Sequence, residues 1–143
     1  MSASVRTDDA ADVLAAPAAV QVLVIEDSAL IRERLLDLIG SCEGVQVTAQ
    51  AETEREALAA LEAGHFDAVV VDLQLRDGSG FGVLQALRQR VPRPLTLVLT
   101  NTSTRPIRER CLALGAHHFF DKSNEFDQVA AALEAMRDHR AGR

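Results

Sequence analysis

The sequence predicts an α/β protein: five parallel strands alternating with five helices, the helices packed on both faces of one sheet. Two observations predict it. Short apolar runs, Val20 to Ile25, Ala68 to Val71 and Leu95 to Leu99, are too brief for helices and read as strands buried on both faces. The longer segments between them carry apolar residues at helical spacing, so strand and helix alternate along the chain. With 143 residues, 48% of them hydrophobic, the chain can bury a real core and has no length for a second domain of similar size.

Each element has a local reason. Residues 1–18 show no sustained period and are rich in Ala, Ser and Asp, so they read as a flexible tail, with the folded domain spanning 19–143. The first strand, Val20 to Ile25, runs into Glu26-Asp27-Ser28. Ser28 caps a helix with Ile31, Leu35, Leu38 and Ile39 on one face, and Gly40 stops it. Val45 to Ala51 alternates as a strand near the sheet edge should. Thr53-Glu54-Arg55-Glu56 is a capping box opening a helix with Leu58 and Leu61 inward and Gly64 at its end. The third strand, Ala68 to Val71, ends on Asp72. A loop with Asp77, Gly78 and Gly80 follows, and a helical pattern resumes at Phe81, Leu84 and Leu87.

Pro92 and Pro94 break the chain before the fourth strand, which ends on Thr100. Thr102 or Ser103 is expected to cap the next helix, with Pro106 tolerated in its first turn, Ile107, Cys111 and Leu114 on one face, and Gly115 at its end. The fifth strand, His117 to Asp121, leads to Lys122. Ser123 or Asn124 should cap a last helix running to about Arg137, with Phe126, Val129, Leu133 and Met136 at helical spacing. The adjacent His117 and His118 are expected to face opposite ways, one buried and one exposed.

Composition excludes several functions. A net charge of −6 argues against a nucleic-acid surface, which needs clustered cations. The arginines after Thr100, Arg105, Arg108 and Arg110, read as a solvated helix face. Cys42 and Cys111 form no metal spacing and are expected to be reduced packing residues. The first residues are acidic rather than basic, and Val13 to Val20 is short and broken by Pro17, so neither a signal peptide nor a membrane span is expected and the protein reads as cytoplasmic. Gly78, Gly80 and Gly82 do not match a dinucleotide fingerprint and read as a loop.

The functional signal is convergence. In a parallel sheet every strand's carboxyl end lies on one edge, where ligands bind. Glu26, Asp27, Asp72, Thr100 and Lys122 therefore converge, though Asp72 alone would read equally well as a turn residue. Lys122 is the chain's only lysine. Three clustered carboxylates repel, each like pair at ~4 Å costing roughly 4 kcal/mol at an effective dielectric of 20. A divalent cation removes that strain, and all-oxygen ligands suit Mg²⁺. A hard cation, a carboxylate nucleophile, a hydroxyl and an ammonium together make a phosphoryl-transfer site, with Asp72 attacking phosphorus.

The motifs VLVIEDS, VVVDLQLRDGSGFGVL, VLTN and GAHHFFDKS stand in an order and spacing that resembles the receiver domain of two-component response regulators over roughly residues 20–139. That resemblance implies a flavodoxin-like sheet in the order 2-1-3-4-5. It implies Asp72 as phosphoacceptor, Mg²⁺ held by Glu26, Asp27, Asp72 and the backbone carbonyl of Gln74, and a phosphoryl group bound by Thr100 and Lys122. Thr100 and Phe119 would form a switch. The implied partners are a sensor histidine kinase or histidine phosphotransfer protein, and a downstream protein or a second copy forming a homodimer.

The expectation is a single-domain response regulator that is not an enzyme acting on an external substrate. The alternatives are a binding module of the same fold that works without phosphorylation, and a receiver excised from a longer protein. Three positions depart from the family's pattern. Arg76 replaces a frequent Pro, leaving its loop less rigid or free to contact a partner. Asn101 replaces a small residue beside the phosphoryl site, and Ser123 replaces the Pro that commonly follows the Lys. None removes a reactive group.

Overall fold

The computed structural model describes residues 18–142; the expected tail, residues 1–18, lies outside this range but for its last residue. Five strands, β1 (Val20–Ile25), β2 (Val45–Ala51), β3 (Ala68–Val71), β4 (Leu95–Thr100) and β5 (His118–Asp121), alternate with five helices. These are α1 (Ala29–Gly40), α2 (Glu54–Ala63), α3 (Gly80–Arg88), α4 (Arg105–Ala113) and α5 (Gln128–Arg140). All strands pair in parallel, in the order β2-β1-β3-β4-β5. The order reverses between β1 and β3, so a crevice opens at their carboxyl ends.

Strand alternation divides the core in two. Leu23, Ile25, Val69, Val71, Val98 and Phe119 meet Ala57, Leu61, Val83, Leu84, Leu87 and Cys111 from α2, α3 and α4. Val22, Val24, Val70, Leu97, Leu99 and Phe120 point the other way, onto Leu35, Ile39, Val129 and Leu133 from α1 and α5. Every residue of β3 is buried, which is why it reads as an unbroken apolar run. β2 lies at the sheet edge and alternates, and its register with β1 slips between Val22 and Leu23.

Most boundaries follow the sequence. Ser28 caps α1 by accepting the Ile31 N–H at 3.3 Å, and Thr53 caps α2 by accepting that of Glu56 at 3.0 Å. The Glu56 carboxylate reaches past the cap to accept the Glu52 N–H, 2.8 Å away. In α2 Ala57 and Leu61 are fully buried while Leu58 is only half-buried.

Four expectations need correction. α4 is preceded by Thr104, with no side-chain cap, rather than capped by Thr102 or Ser103. Pro106 removes an N–H that a cap would bond, the Ser103 hydroxyl turns instead to Asp121, and the Thr102 N–H donates to Thr100 Oγ1 at 3.2 Å. α5 begins at Gln128, not after Ser123 or Asn124, because Asp121 organises an intervening turn. Its carboxylate accepts the Ser123 N–H at 2.6 Å and its carbonyl accepts that of Glu125 at 2.8 Å. β5 starts at His118. His117 is exposed and stands before the strand, its Nδ1 accepting the Thr96 N–H at 3.0 Å, while His118 is half-buried against Phe120. The glycine run is only partly loop, since Gly80 and Gly82 open α3. Arg105, Arg108 and Arg110 are exposed, as a solvated face should be, and Arg110 also lies 3.9 Å over the Phe81 ring.

Both cysteines are free and buried. Among the described residues no helix is long and apolar enough to cross a membrane.

At the amino end of the sheet, Asp67 ties three segments together. Its carboxylate accepts the Gln21 N–H at 2.8 Å, pairs with Arg140 at 3.0 Å and meets the His65 ring at 3.1 Å. Partial burial opposes ionisation, but these bonds outweigh it and hold the carboxyl below its usual 3.8. A depressed folded-state value means the stabilisation is present above pH 3.8 and is lost as pH falls through the folded value. Asp67→Ala is expected to cost about 2 kcal/mol at pH 7, the scale of hydrogen bonds to a charged group. Denaturant unfolding from pH 7 down to pH 2.5 should show that difference shrinking below pH 3.8.

Candidate functional site

Glu26 and Asp27 follow the last residue of β1, Asp72 follows β3, Thr100 closes β4 and Lys122 follows β5. The sheet thus does what the sequence predicts. Glu26, Asp27 and Asp72 each present a carboxylate oxygen, all within 4.8 Å of one another. Glu26 and Asp72 are buried and Asp27 is half-exposed. The Lys122 ammonium donates to Glu26 Oε1 and to Asp72 Oδ2, each at 2.9 Å, on a side chain only 8% exposed.

One ammonium therefore serves two buried carboxylates. Burial pushes the Glu26 carboxyl above its ordinary value, the nearby Asp72 carboxylate adds to this, and the bonds from Lys122 and the Ser28 N–H only partly oppose it. Burial works against the Lys122 charge too, yet its bonds to Glu26 and Asp72 win and hold it protonated beyond its usual range. Asp72 Oδ1 has only a long 3.4 Å approach from the Gln74 N–H, so one oxygen of this carboxylate stays outside the ammonium contact.

The loop after Asp72 is shaped by close backbone approach. The Gly80 N–H bonds the Leu73 carbonyl at 3.0 Å, and any Cβ on Gly80 would run into the carbonyl of Asp72. Gly78 has a φ of +84°, which an L side chain adopts only with strain. Gln74 pairs with Ser79 across the loop and is itself exposed. Thr100 is fully buried, its hydroxyl engaged by the Thr102 N–H. Phe119 is buried in the core among the residues packed beneath α2 to α4, so its ring lies inward.

Sequence reasoning missed the ring of partners around the acids. Arg32 donates to the backbone carbonyl of Glu26 at 2.8 Å and pairs with Glu52 at 3.4 Å. Glu52 also takes Arg76 at 3.0 Å. Glu54 accepts the Ser79 N–H at 2.9 Å, and its own N–H bonds the Asp77 carbonyl at 3.0 Å. Arg32 was detectable as a long cation one turn beyond the Ser28 cap. Glu52 and Glu54 gave no signal, because only the fold brings them to this loop.

Oxygen-only donors, three of them carboxylates crowded by repulsion, fit a hard divalent cation of the Mg²⁺ kind better than a thiophilic one.

Residues 22–134 match the family described as the response regulator receiver domain. The chain is 32% identical over 125 residues to the DNA-binding transcriptional activator DevR/DosR of Mycobacterium tuberculosis, covering 87% of this chain and 56% of that protein. It is 34% identical over 103 residues to protein-glutamate methylesterase/protein-glutamine glutaminase 2 of Anaeromyxobacter dehalogenans, covering 72% of this chain and 30% of that one. The chain thus spans about half or less of the length of these relatives. The signal receiver domain of the response regulator NarL from M. tuberculosis superposes with a TM-score of 0.77 at 23% identity, covering 85% of this chain and 98% of that one. This chain belongs to the response regulator receiver domain family.

Removing Lys122 would leave Glu26 and Asp72 buried and unpaired. Lys122→Ala is expected to destabilise by about 3 kcal/mol at pH 7, the scale of breaking a buried pair from one side. The loss should be smaller at pH 5, because protonating Glu26, whose carboxyl already sits above 4.5, removes one of the two repelling charges. Urea unfolding of native and variant chains at both pH values measures it.

Proposed function

We propose that Asp72 accepts a phosphoryl group from a phosphohistidine of a sensor histidine kinase or histidine phosphotransfer protein, in a two-component or phosphorelay system. The observation that carries this reading is a buried carboxylate at the central strand's end, 2.9 Å from a buried ammonium and beside two more carboxylates. Glu26, Asp27, Asp72 and the backbone carbonyl of Gln74 would hold Mg²⁺. When bound, Mg²⁺ neutralises the acid cluster and the charge on phosphoryl oxygens.

The chain's own groups supply the rest. An Asp72 oxygen forms a new bond to phosphorus while the donor's P–N bond breaks, its electron pair going to the departing imidazole nitrogen. Lys122, already on Asp72, offers its ammonium to the phosphoryl oxygens, as does the Thr100 hydroxyl once it leaves the Thr102 N–H. The chain gains and loses its own phosphoryl group and turns over no external substrate. A small phosphodonor with Mg²⁺ should add one phosphoryl mass to the native chain and none to Asp72→Asn, as read by intact-mass spectrometry. A modified Asp72→Asn chain would contradict the assignment.

The signal would leave through Thr100 toward the face made by α4, β5 and α5, where a downstream protein or a second copy docks. Phe119 already lies inward, so the coupling runs first through the 101–104 segment, whose Thr102 N–H and Ser103 hydroxyl bond Thr100 and Asp121. Drawing the Thr100 hydroxyl to a phosphoryl oxygen breaks the first of these bonds. A coupling of ~1–3 kcal/mol shifts partner affinity roughly 5- to 150-fold. Phosphorylation should therefore change hydrogen exchange across residues 102–122 in the native chain. Thr100→Ala should accept phosphate yet lose the distant change; exchange that alters only beside Asp27, Asp72 and Lys122 would refute the switch.

A further inference from the structure

We infer that Glu52 is a positioning residue for the acid site, holding three loops together by charge so that the carboxylates stay assembled against their own repulsion. The inference rests on the cation reading proposed above. Glu52 follows β2, carries no reacting group, and uses each carboxylate oxygen on a different element, one on α1 and one on the loop after Asp72. Oε2 meets Arg32, whose guanidinium also bonds the backbone carbonyl of Glu26 at 2.8 Å, and Oε1 meets Arg76, four residues beyond Asp72, at 3.0 Å.

The path from the Glu26 backbone to the loop after Asp72 is thus continuous: carbonyl, Arg32, Glu52, Arg76. Two residues further on, Glu54 grips the same loop at Ser79 and Asp77. Isolated surface ion pairs hold little, and networks of several charges are the exception. Here Arg32 is 17% exposed and Glu52 37%, against 87% and 63% for the Arg105–Glu109 pair on α4. Arg76 at the loop surface thereby acquires a structural task that its exposure alone would not suggest.

The force being resisted is the repulsion of the acid cluster. Glu26 and Asp72 share one ammonium, and Asp27 adds a third carboxylate within 4.8 Å, so the loops bearing them are pushed apart in the metal-free chain. Among the described residues the Glu52 carboxylate meets only Arg32 and Arg76. Its contacts to Arg32 and Arg76 oppose that separation without neutralising the carboxylates a cation needs.

The test compares amide hydrogen exchange in the metal-free native chain, Glu52→Ala, Arg76→Ala and the double variant, together with Mg²⁺ affinity by calorimetric titration at fixed ionic strength. Glu52→Ala should speed exchange in both 26–29 and 73–79 and weaken Mg²⁺ binding about tenfold, the low end for loss of a group that orients metal ligands. Arg76→Ala should give part of this, and the double variant no more than Glu52→Ala alone, since both act through one network. Arg76→Lys should restore most of the affinity, and Arg105→Ala should change neither readout. Unchanged Mg²⁺ affinity in Glu52→Ala, or faster exchange confined to residues 51–54, overturns the inference. A native chain that binds no Mg²⁺ refutes the cation reading itself, and the metal-free exchange comparison still decides whether Glu52 couples the loops.

Discussion

The structure depends on the mutual repulsion of carboxylates that its own topology forces together. Parallel strands deliver their carboxyl ends to one edge, and the reversal of strand order between β1 and β3 opens the crevice there. Glu26 and Asp72 end up buried within reach of each other, with Asp27 beside them. Such a cluster is stable only with compensation. Lys122 provides it from β5, across the sheet from β1, and its protonation is secured by the acids it serves. The site is thus poised: charge is balanced enough for the chain to fold and short enough of balance to favour a cation.

The strands and their ends were legible in the sequence because buried parallel strands leave a simple trace, a short apolar run stopped by a polar residue. Ala68 to Val71 followed by Asp72 is such a trace, and so is Leu95 to Leu99 followed by Thr100. Convergence of the five site residues then followed from topology alone. What escaped was side-chain competition at the loop ends. Asp121 takes the Ser103 hydroxyl and the Ser123 and Glu125 N–H groups, and both α4 and α5 start later than propensity suggests. Phe126, expected on the last helix, lies in the turn before it and is still buried, beneath the guanidinium of Arg34 at 4.2 Å.

Around the site, short-range cues predicted the carboxylates, Thr100 and Lys122 at the strand ends, and long-range contacts supplied the groups that hold their loops. Glu52 and Glu54 lie on the edge side of the sheet from Asp72, and nothing in their local sequence points to the loop beyond it. Gly80 is the converse case. Its place is explained once the helix it opens is seen resting on the carbonyl of Asp72, where no side chain fits.

The central claim is that the acid cluster is strained without a cation and relieved by one. Thermal unfolding of the native chain and Asp27→Ala, with and without Mg²⁺ at constant ionic strength, tests it most directly. Binding to the folded state alone stabilises by about 2.7 kcal/mol at a hundredfold excess over Kd. The account predicts that Mg²⁺ raises the native Tm, and that Asp27→Ala melts higher than native without metal and gains nothing from Mg²⁺. A native Tm indifferent to Mg²⁺, or an Asp27→Ala chain that responds as the native one does, would contradict it.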